Sequence, residues 1–96
     1  MKHDAKRDAN ELGIVRALET IGCRVQRLSG GGMPDLLVAF KNVNVLVEVK
    51  MPKEKLNSLQ TEWHAWWRPY GQVAIVESEQ QAIDLVRQTA ATHCPF

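Results

Sequence analysis

Two acidic residues and a lysine occupy positions where charged side chains are unexpected. Asp35 follows Pro34 at the start of an apolar run that ends at Phe40, and Glu48 and Lys50 lie at the end of a second apolar run. Side chains alternate faces along a strand, so Glu48 and Lys50 share one face. Two carboxylates on adjacent strands repel each other unless a proton or a cation lies between them. The pattern therefore predicts a cation site built by Asp35 and Glu48.

A hard divalent cation such as Mg²⁺ suits this set of ligands. Mg²⁺ selects oxygen ligands and keeps several waters, so two carboxylates and a backbone carbonyl, here that of Val49, are sufficient. The ammonium of Lys50 can orient or help deprotonate an attacking water and offset charge on a phosphate oxygen. These residue types predict phosphodiester hydrolysis. The alternative is a structural ion pair between Glu48 and Lys50, because the short motif by itself is common.

Two helical residues add to the predicted site. Glu11 lies within the apolar stripe of the first predicted helix, where a charge faces the sheet, although an acid in a first turn also stabilises the helix N-terminus. Gln60 lies among the apolar residues of the second predicted helix. Its amide either closes a capping box with Asn57 or reaches the site and holds Lys50 or a phosphate. The two roles of Gln60 are compatible.

A glycine-rich loop precedes the first acid of the motif. Gly30, Gly31 and Gly32 allow close approach of a nucleic-acid strand, or they form only a flexible connection. Pro34 favours extended geometry at the residue before it and so directs the entry into the strand. Basic residues on both sides of the motif form a predicted DNA-binding rim, or they are scattered surface charge: Arg24, Arg27, Lys53 and Lys55.

The periodicity of the apolar residues predicts the elements that position these side chains. In order they are a helix at about 8–21, strands at 23–28, 35–40 and 45–49, a helix at about 57–68, a strand at 73–76 and a last helix to about 92. Residues 41–44 form the turn of a hairpin whose strands are predicted to be buried on both faces for most of their length. Ser78 and Gln81 predict a capping box for the last helix. The third and fourth strands are joined through a helix, which predicts parallel pairing and a mixed four-stranded sheet.

Length and composition predict one α/β domain over residues 1–96, since the chain has 96 residues, 45% of them hydrophobic and 24% charged. No apolar run is long enough to span a membrane and the N-terminus is polar, so we expect a cytoplasmic protein. Cys23 and Cys94 are too few for a disulfide framework and are predicted to be reduced thiols, with His93 in a frayed tail. The net charge of +1 does not by itself indicate a nucleic-acid binder.

The charged residues also resemble a known signature. Glu11, the run GGMPDLL at 31–37, the run LVEVK at 46–50 and Gln60 resemble the PD-(D/E)xK signature of the restriction-endonuclease-like superfamily. More narrowly, they are similar to the VRR-NUC (virus-type replication-repair nuclease) domain in its small stand-alone phage and bacterial form. The predicted order of elements agrees with the αβββαβ core of that superfamily, followed here by a C-terminal helix.

The resemblance implies a role for each matched residue. Asp35 and Glu48 are implied metal ligands, Lys50 is the implied catalytic lysine, and Glu11 binds the metal directly or through water. Gln60 matches the helical glutamine beside the catalytic centre. The implied activity is that of an Mg²⁺- or Mn²⁺-dependent endonuclease in DNA repair and recombination, acting on branched DNA as a homodimer similar to Holliday junction resolvases. The implied location is the cytoplasm of a bacterial or phage-infected bacterial cell.

Two other functions remain open at the level of the sequence. One is a sequence-specific restriction or nicking endonuclease, although a chain of this length leaves little room for a base-reading insertion. The other is a non-catalytic DNA-binding or assembly module on the same fold, against which the full set of acids and lysine argues. The cluster of Trp63, Trp66 and Trp67 predicts either a subunit interface or packing on the sheet, with base stacking by Trp or Tyr70 as a third role.

Overall fold

The structure, a computed structural model, describes residues 7–93. Its elements are α1 (Glu11–Thr20), β1 (Arg24–Arg27), β2 (Leu36–Phe40), β3 (Val43–Val49), α2 (Ser58–Trp67), β4 (Val73–Val76) and α3 (Glu79–Thr92). The four strands form one sheet in the order β1-β2-β3-β4, with antiparallel β1–β2 and β2–β3 pairs and a parallel β3–β4 pair. The predicted mixed sheet and the predicted parallel pair are therefore confirmed.

The two faces of the sheet carry different side chains. Val45, Val47 and Val49 of β3 are buried in the apolar core, while Glu48, one residue out of phase, faces α2. Helices α1 and α3 pack against each other and contribute to the same core, together with β2 and β4. The large side chains of this cluster that are fully buried are Ile14, Leu18, Leu36, Val38, Val47, Val49 and Val86. Burying each such side chain contributes roughly 1.5–3 kcal/mol, so this layer holds the adjoining ends of β2 and β3 in place.

The first helix begins later than the sequence predicts. Residues 8–10 form a turn closed by the N–H of Glu11 bonding to the carbonyl of Asp8 at 3.0 Å. Asn10 does not cap α1 with its side chain. Its amide instead donates to the backbone carbonyls of Lys50 at 3.0 Å and Glu77 at 2.9 Å. The side chain of Asn10 therefore connects the start of α1 to the ends of β3 and β4. Local periodicity does not predict this contact, because its partners lie far apart in the chain.

The hairpin turn is shorter than predicted. Lys41 and Asn42 have φ angles of 52° and 66°, so a two-residue turn with two left-handed residues joins the strands, and residues 43 and 44 belong to β3. Such turns match the twist of the strands that they connect. The prediction of strands buried on both faces is wrong for β2, because α1 and α3 cover one face only and Leu37 remains 37% exposed. Strand β1 is one residue shorter at each end than predicted.

Helix α2 presents an unexpected face to the sheet. Its buried residue is His64, whereas Leu59 and Trp66 are 59% and 67% exposed. Trp63 and Trp67 stack on each other with ring centroids 5.0 Å apart. The three tryptophans therefore do not all pack on the sheet, which was one of the alternatives left open by the sequence.

Three further sequence predictions concern caps, thiols and membrane spans. The hydroxyl of Ser78 accepts from the N–H of Gln81 at 3.1 Å, but the side chain of Gln81 accepts from Glu77 at 2.7 Å, one residue earlier than a capping box requires. Cys23 is a buried free thiol, and Cys94 lies outside the described residues. Over residues 7–93, none of the helices has the length and apolar character needed to cross a membrane.

Candidate active site

Strand register brings the two predicted acids together. Leu36 lies opposite Val47 in the antiparallel β2–β3 pair, and one further step of this register sets Asp35 opposite Glu48 on the same face. The side chain of Asp35 accepts a hydrogen bond from the N–H of Val49 at 2.8 Å. Glu48 is fully buried. The backbone pairing therefore determines that these two carboxyl groups are neighbours.

The environment of Glu48 changes its acidity. Burial, then a hydrogen bond with Asp35, then the negative charge of Asp35 raise the pKa of Glu48 from 4.5 to about 9, while the charge of Lys50 acts in the opposite direction. The pair thus retains a proton near neutral pH when nothing else neutralises it. A cation bound between the carboxylates would take over the role of that proton.

Two residues of α2 contact the oxygens of Glu48. The amide of Gln60 donates to Oε2 at 3.3 Å, and Nε2 of His64 lies 3.1 Å from Oε1. Gln60 also closes a complete capping box with Asn57, in which the two backbone N–H groups and side-chain oxygens bond reciprocally at 2.9 Å. The predicted capping box is therefore confirmed, and the amide nitrogen of the same side chain reaches the site. Its partner there is Glu48 and not Lys50, while the predicted contact with a phosphate stays a prediction.

Lys50 lies beside this pair without being bound to it. The residue is only 7% exposed, and its backbone N–H bonds to the carbonyl of Val76 at 3.0 Å. Within residues 7–93 its ammonium forms no ion pair at 4.0 Å or less, so the structural Glu48–Lys50 pair considered above is not formed. The positive charge of Lys50 partly opposes the rise in the pKa of Glu48.

Glu11 is buried, and its partners are guanidinium groups. The side chain is 2% exposed and accepts from Nη1 of Arg7 at 3.1 Å and from Nε of Arg27 at 3.0 Å. Arg7 also lies 3.8 Å from Oδ1 of Asp35 and donates to the carbonyl of Leu28 at 2.7 Å. Arg7 therefore bridges Glu11 and Asp35. The role of Glu11 as a metal ligand stays a prediction.

The residues at the ends of β2 and β3 suit a hard cation. Since the N–H of Val49 points to Asp35, and the N–H and C=O of one strand residue face the same neighbour, the carbonyl of Val49 faces this edge too. Two carboxylates that repel each other and one carbonyl are the donor set that Mg²⁺ or Mn²⁺ accepts together with waters. In the part of the chain that the structure describes, no three His, Cys, Asp or Glu side chains gather as a metal site. The protein ligands offered are thus two acids and a carbonyl.

The glycine loop packs against α2. Gly32 has a φ of 80°, and a Cβ at this residue would lie 2.5 Å from the carbonyl oxygen of Leu59. A Cβ on Gly31 would meet nothing within 4 Å. Gly30 and Gly32 line a cleft beside Asp35 and Gln60. Packing against α2 therefore requires a glycine at Gly32 and does not require one at Gly31. The loop borders an open cleft beside Asp35.

The predicted basic rim is only partly present around the acids. Arg27 pairs with Leu36 in the sheet and contacts Glu11 through its side chain. Arg24 pairs with Ala39, about 10 Å further along the strand, so it lies at the far end of β1 and not at the site. The antiparallel pairing therefore separates Arg24 from the acids, and its predicted contact with DNA stays a prediction. Lys53 and Lys55 are exposed in the loop that follows Lys50.

Four residues near the site were not identified from the sequence: Arg7, Asp8, Asn10 and His64. Burial, then repulsion from Glu54, raises the pKa of Asp8, which also lies near enough to Lys50 and Asp35 to be affected by their charges. Helical spacing offered a signal for two of the four, since Arg7 precedes Glu11 by four residues and His64 follows Gln60 by four. Asp8 and Asn10 were predicted within the first helix, but in the structure they precede α1, so their positions follow from the tertiary fold.

A mixed sheet with paired acids and a lysine at the adjoining ends of its central strands defines a domain with the restriction-endonuclease-like nuclease fold. A solved structure described as a "VRR_NUC domain" is 31% identical to this chain and superposes with a TM-score of 0.65, over 77% of this chain and 86% of the other. This chain belongs to the VRR-NUC family, which confirms the resemblance noted from the sequence. Family models and curated proteins gave no match.

Proposed function

We propose that this protein is an endonuclease that hydrolyses phosphodiester bonds in structured DNA and requires Mg²⁺ or Mn²⁺. The observation that carries the proposal is the pairing of the half-buried Asp35 with the fully buried Glu48, next to the buried residue Lys50. Membership of the VRR-NUC family supports the same activity. A domain that only binds DNA has no need of two adjacent acids at its site, since carboxylates repel phosphates.

Each residue of the site has a separate role in the proposed hydrolysis. Asp35, Glu48 and the carbonyl of Val49 would hold the cation. When bound, it supplies Lewis-acid activation of water and neutralises charge on the phosphate. Lys50 orients the attacking water, helps to remove its proton and offsets charge that develops on the phosphate oxygens. Gln60 holds Glu48 in place through its amide.

The cleft beside Asp35 is the proposed path of the DNA backbone. Gly30, Gly32 and the basic residue Arg7 line this cleft. We propose that Arg27, Lys53 and Lys55 supply the further basic contacts with the DNA backbone. Contacts of lysine and arginine with phosphates position DNA without reading its sequence. We therefore propose selection by DNA shape, with four-way junctions and other branched DNA as the preferred substrates.

A homodimer fits symmetrical cleavage of two strands. Trp66 is 67% exposed on α2 and contacts two further tryptophans, and an exposed aromatic cluster is typical of subunit interfaces. Sedimentation velocity at micromolar concentration tests this part of the proposal. A protein that stays monomeric there would not cut two strands as a pair.

The nuclease proposal is tested with labelled DNA of defined shape. Four-way junctions, flaps, duplexes and single strands are each incubated with the protein and Mg²⁺, Mn²⁺ or a chelator. We expect cleavage of the branched substrates with either cation and none with the chelator. The Lys50→Met variant serves as the control for contaminating nucleases. Equal cleavage by wild type and this variant, or cleavage that persists in the chelator, contradicts the proposal.

A further inference from the structure

His64 is the buried residue of α2 and lies against Glu48. Its side chain is 3% exposed, and Nε2 is 3.1 Å from Oε1 of Glu48. The other carboxylate oxygen, Oε2, accepts from Gln60, which lies one helical turn earlier. A position facing the sheet would normally carry an apolar side chain, because an imidazole must be hydrogen-bonded when it is buried. The burial of His64 is therefore compensated by its contact with Glu48.

Arg68 determines which ring nitrogen of His64 carries the proton. Nη2 of Arg68 lies 3.5 Å from Nδ1 of His64, and a guanidinium has donors but no acceptor. Nδ1 must then present its lone pair, which leaves the proton on Nε2 of the neutral ring. The N–H at Nε2 points to Glu48 and donates to Oε1. Each oxygen of Glu48 thus receives one hydrogen bond from α2.

The two donors fix the orientation of the Glu48 carboxylate. Gln60 and His64 belong to one helix whose N-terminus is locked by the capping box at Asn57, so their polar atoms keep a constant separation. A carboxylate held at both oxygens loses less conformational freedom when it binds a cation. Partners that orient a metal ligand typically change metal affinity or activity by about 10–100-fold when they are removed.

We propose that His64 is a positioning residue: through Nε2 it orients Glu48 as a ligand for the divalent cation, and Arg68 selects the tautomer that makes this possible. This inference rests on the proposed metal-dependent nuclease function. It assigns to His64 no contact with the DNA or with the reacting atoms. His64 acts only through Glu48, so its effect should be visible in cation binding before any DNA is added.

The test compares His64→Leu, which removes the donor, with His64→Gln, whose amide places a donor near the position of Nε2. The matched control is Glu62→Gln, an exposed residue of the same helix with no hydrogen bond or ion pair among the described residues. Mn²⁺ affinity is measured from the electron paramagnetic resonance signal of the free ion. We expect about 10–100-fold weaker binding by His64→Leu, and wild-type binding within a few fold by His64→Gln and Glu62→Gln.

Nitrogen NMR of the imidazole provides a readout that is independent of the metal. We expect the neutral ring with the proton on Nε2 in wild type, and a mixture of both tautomers in Arg68→Met. Arg68 is exposed, so this variant remains informative even if His64→Leu does not fold.

The outcomes separate this inference from the proposed function. Wild type that binds Mn²⁺ and cleaves DNA, together with a folded His64→Leu that binds Mn²⁺ equally well, overturns the positioning role and leaves the nuclease function standing. A wild-type ring protonated on Nδ1 overturns it as well. Wild type that neither binds Mn²⁺ nor cleaves DNA overturns the proposed function, and the inference falls with it.

Discussion

The side chain of Asp35 accepts a hydrogen bond from the backbone N–H of Val49 at 2.8 Å. This bond ties the residue ahead of β2 to the strand residue between Glu48 and Lys50. The β2–β3 backbone pairing therefore determines the relative positions of Asp35, Glu48 and Lys50, independently of their side-chain rotamers. One oxygen of Asp35 is used in this bond, and the carboxyl group still lies opposite Glu48.

Replacing Lys50 by methionine should stop cleavage without preventing DNA binding. The variant keeps the length of the side chain and loses the ammonium that stabilises charge in the transition state. Loss of one such group typically lowers the rate by about 100–1,000-fold. Single-turnover cleavage and a gel-shift titration with a four-way junction measure the two effects. A variant that fails to fold would instead indicate a structural role for the lysine.

Mn²⁺ should stabilise wild type and not Asp35→Asn. Asparagine still has a carbonyl oxygen to accept from Val49, so the fold is retained while the charge of one proposed ligand is lost. A ligand that binds only the folded state stabilises it by about 2.7 kcal/mol at 100 times its dissociation constant. Thermal unfolding with increasing Mn²⁺ measures this shift. Equal shifts for wild type and Asp35→Asn would count against the ligand assignment.

The stability of the metal-free protein should fall with rising pH because of Glu48. The folded state keeps the proton of this carboxyl up to about pH 9, whereas the unfolded chain releases it near 4.5. The contribution of Glu48 to the free energy of unfolding is complete below the unfolded-state pKa of 4.5. It is lost at about 1.4 kcal/mol per pH unit as the pH rises toward the folded-state pKa of about 9.

The Glu48→Gln variant tests this dependence because glutamine does not titrate. Urea unfolding of both proteins with a chelator present, at several pH values between about 5.5 and 8, gives the difference in unfolding free energy. We expect this difference to favour the variant increasingly as pH rises. Parallel pH profiles would show that the carboxyl group has an ordinary pKa in the folded protein.

Gly32 and Gly31 should respond differently to alanine. At Gly32 the new methyl group would meet the carbonyl oxygen of Leu59 at 2.5 Å in a backbone with a φ of 80°, whereas at Gly31 it would meet nothing within 4 Å. Strained backbone conformations typically cost about 1–3 kcal/mol. Chemical denaturation should therefore show a loss of this size for Gly32→Ala and little change for Gly31→Ala. A similar loss at both glycines would refute the packing of this loop on α2.

Glu11→Gln should destabilise the metal-free protein. Both arginine partners of this buried carboxylate would lose their counter-charge, and a hydrogen bond to a charged group is worth about 1.5–3 kcal/mol. Because Arg7 and Arg27 already contact the oxygens of Glu11, we expect the Mn²⁺-induced thermal shift to remain. Loss of that shift would support the ligand role that the family resemblance implies.

The sequence by itself determined the order of the elements and the position of the acids along them. Apolar periodicity is a local property, so the helices, the strands and the parallel β3–β4 pair followed from it. A carboxylate at the end of a buried strand is costly, which is why Glu48 stood out without any knowledge of its partners. Lys50 was found by the same alternation of faces.

Only the tertiary structure decided which side chains neutralise each other. The two-residue turn at Lys41 and Asn42 determines the strand register that places Asp35 opposite Glu48. The guanidinium groups around Glu11 belong to Arg7 and Arg27, which are not part of the apolar pattern. The same holds for α2, where hydrophobicity favoured burial of the tryptophans. The structure buries His64 there instead, because its hydrogen bond with Glu48 offsets the free-energy cost of desolvating the imidazole. Such partners lie far apart in the chain, and local periodicity carries no information about them.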